Sequence, residues 1–367
     1  MNQLSMAIEN DEWKTLERAI NPLTATVCVD ELTLELVRPF DYETDGVTTF
    51  YPHVIPDLPQ EFNIGVIVGA SGTGKSTLLN AFGETFRPSW ATGRSVASHF
   101  ESPADASERL SAAGLMSIPD WVKPYNVLST GQKFRADLAR SLRDGAVIDE
   151  FTSVVDRNVA KAASTSMAKY VRRAEIKNVV IATVHRDILD FLEPDWIIDT
   201  DRGEWTVGRC HQRPDLVLEV RAVSHHIWSY FAPHHYLAAR INKASHCYIG
   251  IWEGQLVGFY AAMTFPNGAF TNAWREHRLV IHPDFQGLAF GPRLADVVAQ
   301  HYVDNGKRFF GKTSHPRLGL YRDASPLWRA TSKNHRARSD ALVPRANLRW
   351  QINPNRWSFS HEYIGAF

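Results

Sequence analysis

The residues with the clearest chemical potential lie in GASGTGKST, residues 69–77. The pattern G-x-x-x-x-G-K-[ST] runs from Gly69 to Ser76. A buried apolar run, Asn63–Ala70, precedes it, and a helix is expected from Ser76 to Phe82. Glycines in such a turn let backbone N–H groups converge on phosphate oxygens, here from Gly69, Ala70, Ser71, Gly72, Thr73, Gly74, Lys75, Ser76 and Thr77. A helix start adds partial positive charge. Lys75 is placed to reach β- and γ-phosphates, and Ser76 to ligate Mg2+. VIDE, residues 147–150, ends a second short apolar run with two carboxylates. Asp149 suits Mg2+, and Glu150 suits orienting and deprotonating an attacking water.

A second anion cradle is legible in LVIHPDFQGLAFGPRL, residues 279–294. A strand ends at Pro283, a Gly-containing loop (Gln286, Gly287, Leu288, Ala289, Phe290, Gly291) follows Ile281 closely, and a helix is expected over Pro292–Tyr302. Backbone amides and a helix start would again face a phosphate group. His234, His235, His246 and Cys247 are conceivable metal ligands, but they lack tight ligand spacing.

These sites need elements to hold them. Strands alternate with helices through the first ~210 residues, which argues a parallel sheet covered on both faces. The expected order is a strand pair within 24–37, strand 63–70, a helix after Ser76, an irregular stretch 84–126 broken by Pro88, Pro103, Pro119 and Pro124, helix 134–142, strand 147–149, helix 159–173 and strand 179–184. Near Cys210–Leu216 the character shifts. Residues 1–210 hold 21 Lys/Arg and 30 Asp/Glu; residues 211–367 hold 19 and 10, with 12 of the 15 histidines. Beyond the shift, a hairpin turning at Glu253–Gly254 precedes a strand, a helix, strand 308–314 and a tail, 331–367. The tail carries six Lys/Arg against two acids, interleaved with Trp350, Trp357, Phe359 and Tyr363. Cys28, Cys210 and Cys247 fit no disulfide framework. The polar N-terminus has no signal-peptide core, and no apolar run approaches the ~18 residues of a membrane span. The expectation is a cytoplasmic protein with no membrane partner.

Residues 25–205 resemble ABC-type ATPases. LSTGQ, residues 128–132, looks like the family's signature motif, FTSVVD, residues 151–156, like its D-loop, and His185, ending VVIATVH, like its switch histidine. The resemblance implies ATP and Mg2+ as ligands. It implies that Ser129 and Gly131 contact the γ-phosphate of ATP held by a second subunit, with Gln132 also in the nucleotide site, that Asp156 lies at the D-loop position, and that His185 is catalytic alongside Glu150. An ATP-dependent homodimer follows. The sequence departs from the family in having no Gln between 61 and 131, so the Q-loop glutamine is missing; His99 or Glu101 could stand in. Tyr42, Phe50 and Tyr51 are candidates for stacking on adenine.

Residues 225–330 resemble GNAT acyltransferases. Gln286–Gly291 matches their acetyl-CoA pyrophosphate loop, Q/R-x-x-G-x-G/A, with Ala289 where Gly is usual. Acetyl-CoA or another acyl-CoA is the implied cofactor. Tyr321 sits near the place of the family's tyrosine that protonates the leaving thiolate, with Ser314 where the family's usual Asn stands. Glu276, His277 and His282 are candidate bases, with His234 and His235 in the acceptor-binding part. The joined chain also resembles a phage- and mobile-element-associated family, on HHYL, REHRLV, KTSHP and SPLW.

The expected fold class is α/β: an ABC-type P-loop ATPase domain with a mixed sheet over 1–212, and a GNAT-like α+β acyltransferase domain with a basic tail over 213–367. The expected function is ATP hydrolysis coupled to N-acyl transfer onto DNA or RNA, with Arg336, Arg338, Arg345, Arg349, Trp350, Arg356 and Trp357 contacting phosphates and bases. The alternatives are an ATP-gated binding protein with a non-catalytic GNAT-like module, and a transporter ATPase subunit.

Overall fold

Residues 64–68, with no polar side chain among them, are buried along their whole length, as a strand covered on both faces must be. The computed structural model describes residues 13–208, 211–235, 240–266, 271–337 and 357–365. The chain divides into two units, Met1–Gly114 with Lys123–Pro214, and Leu115–Val122 with Asp215–Phe367.

In chain order the first unit contributes β1 (Lys14–Thr15), β2 (Leu23–Thr26), α1 (Glu31–Val37), β3 (Val47–Phe50), β4 (Ile64–Val68), α2 (Lys75–Leu79) and α3 (Pro103–Ala112). The short α4 (Ile118–Trp121) groups with the second unit. The first unit resumes with α5 (Thr130–Ser141), β5 (Val147–Ile148), α6 (Arg157–Arg173), β6 (Val179–Thr183), α7 (Leu189–Leu192), β7 (Trp196–Asp199) and β8 (Glu204–Val207). Its main sheet runs β1-β8-β7-β4-β6-β5. The four strands from β7 to β5 are parallel, and β8 pairs antiparallel with β7 on one side and with β1 on the other. Ile67, Leu78, Leu79, Val147, Val180 and Trp196 form one core cluster.

Two expectations are corrected here. Residues 24–37 are not a strand pair: β2 pairs with β3 instead, and 31–37 is a helix. Asp30 caps that helix by accepting from the Thr33 N–H at 2.8 Å, and Leu32, Leu34 and Leu36 stay 65%, 47% and 64% exposed. Their alternate spacing reflects no buried sheet face. The stretch 84–126 is not irregular throughout. Pro103 opens α3 behind Ser102, whose hydroxyl accepts from the Asp105 N–H at 3.1 Å, and Pro119 lies in the first turn of α4. A proline whose missing N–H falls on an orphan position starts a helix instead of breaking one.

The second unit holds β9 (Glu219–Val223), α8 (Trp228–Phe231), β10 (His246–Trp252), β11 (Gln255–Thr264), β12 (Ala273–Ile281), α9 (Phe290–Asp304), β13 (Arg308–Thr313), α10 (Pro316–Ala324), β14 (Trp328–Ala330), β15 (Arg336–Ala337) and β16 (Trp357–Tyr363). Its sheet order is β14-β16-β13-β12-β11-β10-β9, with β15 on β16. Among the described residues only β12 and β13 pair in parallel in this sheet. Tyr260, Leu294, Val298, Tyr302 and Phe309 pack on the α9 face, and Trp228, Phe231, Ile249, Phe259 and Val280 on the other. The tail expectation changes accordingly: its residues 357–363 are a strand of this sheet. Cys210, Arg338, Arg345, Arg349, Trp350 and Arg356 lie outside the described residues.

Candidate functional site

In the first unit β6 pairs with both β4 and β5, so the loops leaving their carboxyl ends lie side by side, the usual ligand edge of a parallel sheet. The loop leaving β4 carries Gly72 and Gly74 in left-handed conformations, φ 83° and 91°, a backbone form that makes anion-binding concavities. At Gly74 a Cβ would also come within 2.6 Å of the Phe50 ring, so a side chain is doubly excluded. Of the three aromatic candidates, Phe50 thus packs on the loop, while Tyr42 and Tyr51 are exposed.

The Ser76 hydroxyl donates to Asp149 at 2.8 Å, and the other Asp149 oxygen accepts the Glu150 N–H at 2.8 Å. A hydroxyl and a carboxylate converging in this way are the oxygen donors Mg2+ takes. Ser76 and Asp149 would hold the ion, which would neutralise phosphate charge when bound. The Lys75 ammonium donates to the Ala70 carbonyl at 2.5 Å. Burial pulls its pKa below the ordinary value, against the opposing carboxylates of Asp201, Asp149 and Glu150. Lys75, Asp149 and Glu150 therefore share one electrostatic neighbourhood.

His185 lies two residues past the end of β6, the strand between these loops, its Nδ1 2.9 Å from the Thr152 hydroxyl. Burial and then Arg157 lower its pKa, with Asp187 opposing. The following residue, Arg186, grips both oxygens of Asp199 and donates to Asp201 at 2.8 Å. Asp201 in turn accepts the Ala70 N–H at 2.8 Å, and the Thr200 and Thr73 hydroxyls meet at 2.6 Å. The turn 199–201 thereby ties the His185 segment to the glycine loop.

The remaining candidates of this unit have local partners. Ser129 and Gln132 form a capping box on α5: the Gln132 N–H reaches the Ser129 hydroxyl at 3.3 Å, and the Ser129 N–H reaches the Gln132 side chain at 2.9 Å. The Gly131 carbonyl accepts from Arg135 at 3.1 Å. Ser129 stays exposed at the start of a twelve-residue helix. Asp156 caps α6 through the N–H groups of Asn158 and Val159, at 2.8 and 3.1 Å. His99 uses one ring nitrogen on the Ser95 carbonyl (2.9 Å) and the other on the Ala91 N–H (3.0 Å), so it serves its own loop. Glu101 is exposed.

In the second unit, β12 and β13 pair only from Ala273–Arg275 to Arg308–Phe310. Beyond that they part, and β12 carries a bulge against β11. At the end of β12 the Gln286 side chain donates to the Ile281 carbonyl at 3.0 Å. Gly287 and Ala289 are left-handed, φ 104° and 62°, and Ala289 caps the fifteen-residue α9. Leu288 and Phe290 are buried at 2% and 1%. They anchor the loop while its backbone meets the helix start, and Gly291 lies against Ile281.

Residues 214–323 match the family model of the acetyltransferase (GNAT) family. This part of the chain is a GNAT acetyltransferase domain. Among solved structures, the chain is similar to an IAA acetyltransferase from Bacillus cereus, at 12% identity over 40% of this chain and 99% of that one, TM-score 0.29. It is similar to a Bacillus subtilis acetyltransferase in complex with CoA, at 13% identity over 41% and 98%, TM-score 0.30. It is also similar to the ribosomal-protein-S18-alanine N-acetyltransferase from Escherichia coli, at 8% identity over 41% and 96%, TM-score 0.29. No curated protein matches the chain.

Within the GNAT domain, the Tyr321 hydroxyl donates to Asp296 on α9, which also accepts from the Trp328 indole at 2.7 Å. Burial and this carboxylate push the Tyr321 pKa up to about 12. Asp296 lies six residues, about 9 Å, along α9 from Phe290. Glu276 takes Arg322 at 2.6 Å and the Tyr260 hydroxyl at 3.0 Å. Arg322 is wholly buried, its guanidinium 4.2 Å from the centre of the Trp328 ring. A Cβ on Gly311 would lie 2.4 Å from it, so the glycine makes room for the charge where β12 and β13 diverge.

Burial, then Arg278, Arg275 and His235, push the His277 pKa down to about 4; its Nε2 accepts the Asn242 N–H at 3.4 Å. His282 lies 4.7 Å from the His234 ring and 5.8 Å from Tyr230. His246 meets the Tyr302 hydroxyl at 3.0 Å, and the Cys247 thiol donates to the Ser245 carbonyl at 3.6 Å. Among the described residues no group of three or more His, Cys, Asp or Glu could hold a metal ion, and no helix is long and apolar enough to cross a membrane. Sequence reasoning missed Thr152, Arg186, Asp296 and Arg322. Their partners are 13 to 46 residues away, and no local pattern marks them.

Proposed function

We propose that the chain joins two activities. Residues 1–212 bind and hydrolyse ATP as an ABC-type ATPase, and residues 213–367 transfer an acyl group from acyl-CoA to an amine. One observation carries the ATPase reading: the Ser76 hydroxyl meets Asp149 at 2.8 Å beside Lys75, with His185 two residues past the end of the intervening strand. Glu150 is then the base for the attacking water. Ser129 and Gly131, at an exposed helix start, would receive the γ-phosphate of ATP on a second copy, which makes ATP the trigger of dimerisation. The acyl-transfer reading rests on the GNAT domain and its loop 286–291 at the start of α9.

The excess of 19 Lys/Arg over 10 Asp/Glu in residues 211–367 favours DNA or RNA as acceptor. The test is label transfer from acetyl-CoA to duplex DNA, RNA and protein, with and without ATP. Label on nucleic acid only with ATP supports the coupled reading. Label on protein alone moves the acceptor class.

A second reading has its own observation. Tyr321 is held by Asp296, and Glu276 by Arg322, so two acid–base candidates are already engaged. In that reading the GNAT domain is an ATP-gated binding module. Calorimetric titration decides: CoA binding without label transfer to any acceptor favours the module.

A further inference from the structure

Thr152 is wholly buried, yet its φ is 67°. A β-branched side chain is sterically disfavoured there, and such residues persist only where surrounding structure over-determines them. The surroundings do so here. The Phe151 N–H donates to the Ala182 carbonyl at 2.9 Å. The Thr183 hydroxyl donates to the Phe151 carbonyl at 3.0 Å, and the His185 N–H donates to that same hydroxyl at 3.1 Å. The segment after Glu150 is thus stitched to the end of β6, and the stitching leaves the Thr152 hydroxyl 2.9 Å from His185 Nδ1.

A neutral imidazole has one donor and one acceptor nitrogen, and the partner of one fixes the role of the other. We propose that Thr152 is a positioning residue: its hydroxyl donates to His185 Nδ1 and holds the proton on Nε2, so that the imidazole offers one N–H to the terminal phosphate of bound ATP. This rests on the ATPase reading of residues 1–212. The strained backbone aims the hydroxyl, and a hydroxyl at this position sets the tautomer.

The experiment uses the full chain and measures kcat and KM for ATP together with the melting temperature. Thr152→Val keeps the shape and β-branching but removes the hydroxyl. It should lower kcat roughly tenfold to a hundredfold, the usual range for such orienting partners, with KM and melting temperature unchanged. Thr152→Ser should retain wild-type kcat. In a His185→Ala background, Thr152→Val should change nothing further, because the hydroxyl acts only through the ring. Wild-type kcat in Thr152→Val, or equal losses with and without His185, would overturn the proposal. If Thr152→Val does not fold, Thr152→Ser decides, since a serine variant that melts normally but loses kcat as strongly as His185→Ala overturns it. A wild-type chain that neither binds nor hydrolyses ATP removes the ATPase reading itself, an outcome the variants cannot mimic.

Discussion

Ala289 offers a quantitative check on how loop 286–291, proposed to bind acyl-CoA, is built. It sits at φ 62° as the cap of α9, and its methyl group faces solvent. A left-handed backbone costs an L side chain roughly 1–2 kcal/mol. Replacement by glycine removes that cost, and no buried area is lost with the exposed methyl. Against it stands the greater freedom of glycine in the unfolded chain, about 0.4–1 kcal/mol. Glycine also ranks above alanine as a helix N-cap. Ala289→Gly should therefore stabilise the GNAT domain by about 1 kcal/mol, or about 2–4 °C in melting temperature. Scanning calorimetry with and without CoA reads this, because the transition that CoA raises is the one to follow. Removing the Cβ also widens the backbone approach to a pyrophosphate, so CoA should bind at least as tightly as to wild type. A lower melting temperature would refute the strain argument. A higher one with weakened CoA binding would refute the placement of the pyrophosphate.

Arg322→Met should destabilise the GNAT domain by about 3–5 kcal/mol in urea unfolding, because it leaves a buried Glu276 carboxylate unpaired; adding Glu276→Gln should recover part of the loss. Lys75→Ala should abolish ATP binding by calorimetry, while Glu150→Gln should accumulate an ATP-bound dimer by size-exclusion chromatography; retained turnover in Glu150→Gln would remove it as the base. His277 bears on pH. Its folded pKa, about 4, lies below the ordinary 6.5, so the unfolded chain binds its proton first and stability falls as pH drops from about 6.5 to 4. His277→Gln should flatten that part of a stability–pH profile.

What the sequence made legible is what is encoded within a few residues. Residues 63–79 and 279–304 each read as strand, glycine loop and helix because an apolar run, a turn and a helix start are consecutive. The same locality explains the errors. Leu32, Leu34 and Leu36 alternate as in a strand, but Asp30 caps a helix through Thr33. Pro103 looks like a breaker until Ser102 is seen as its cap. The tail, read as an extension, hides a strand: Phe359 and Tyr363 belong to β16, whose partner strand lies about 50 residues earlier. The role proposed for Tyr321 depended on what its hydroxyl meets, and Asp296 reaches it only because α9 and α10 pack on the same face.

The sheet order of the second unit carries a consequence for its biosynthesis. Residues 357–363 lie between β13 and β14. Until the ribosome releases that segment, the nascent domain presents two open strand borders, each a template for pairing with another molecule. Synthesis of the second unit therefore holds a window of aggregation risk, which closes when β16 slots into the gap.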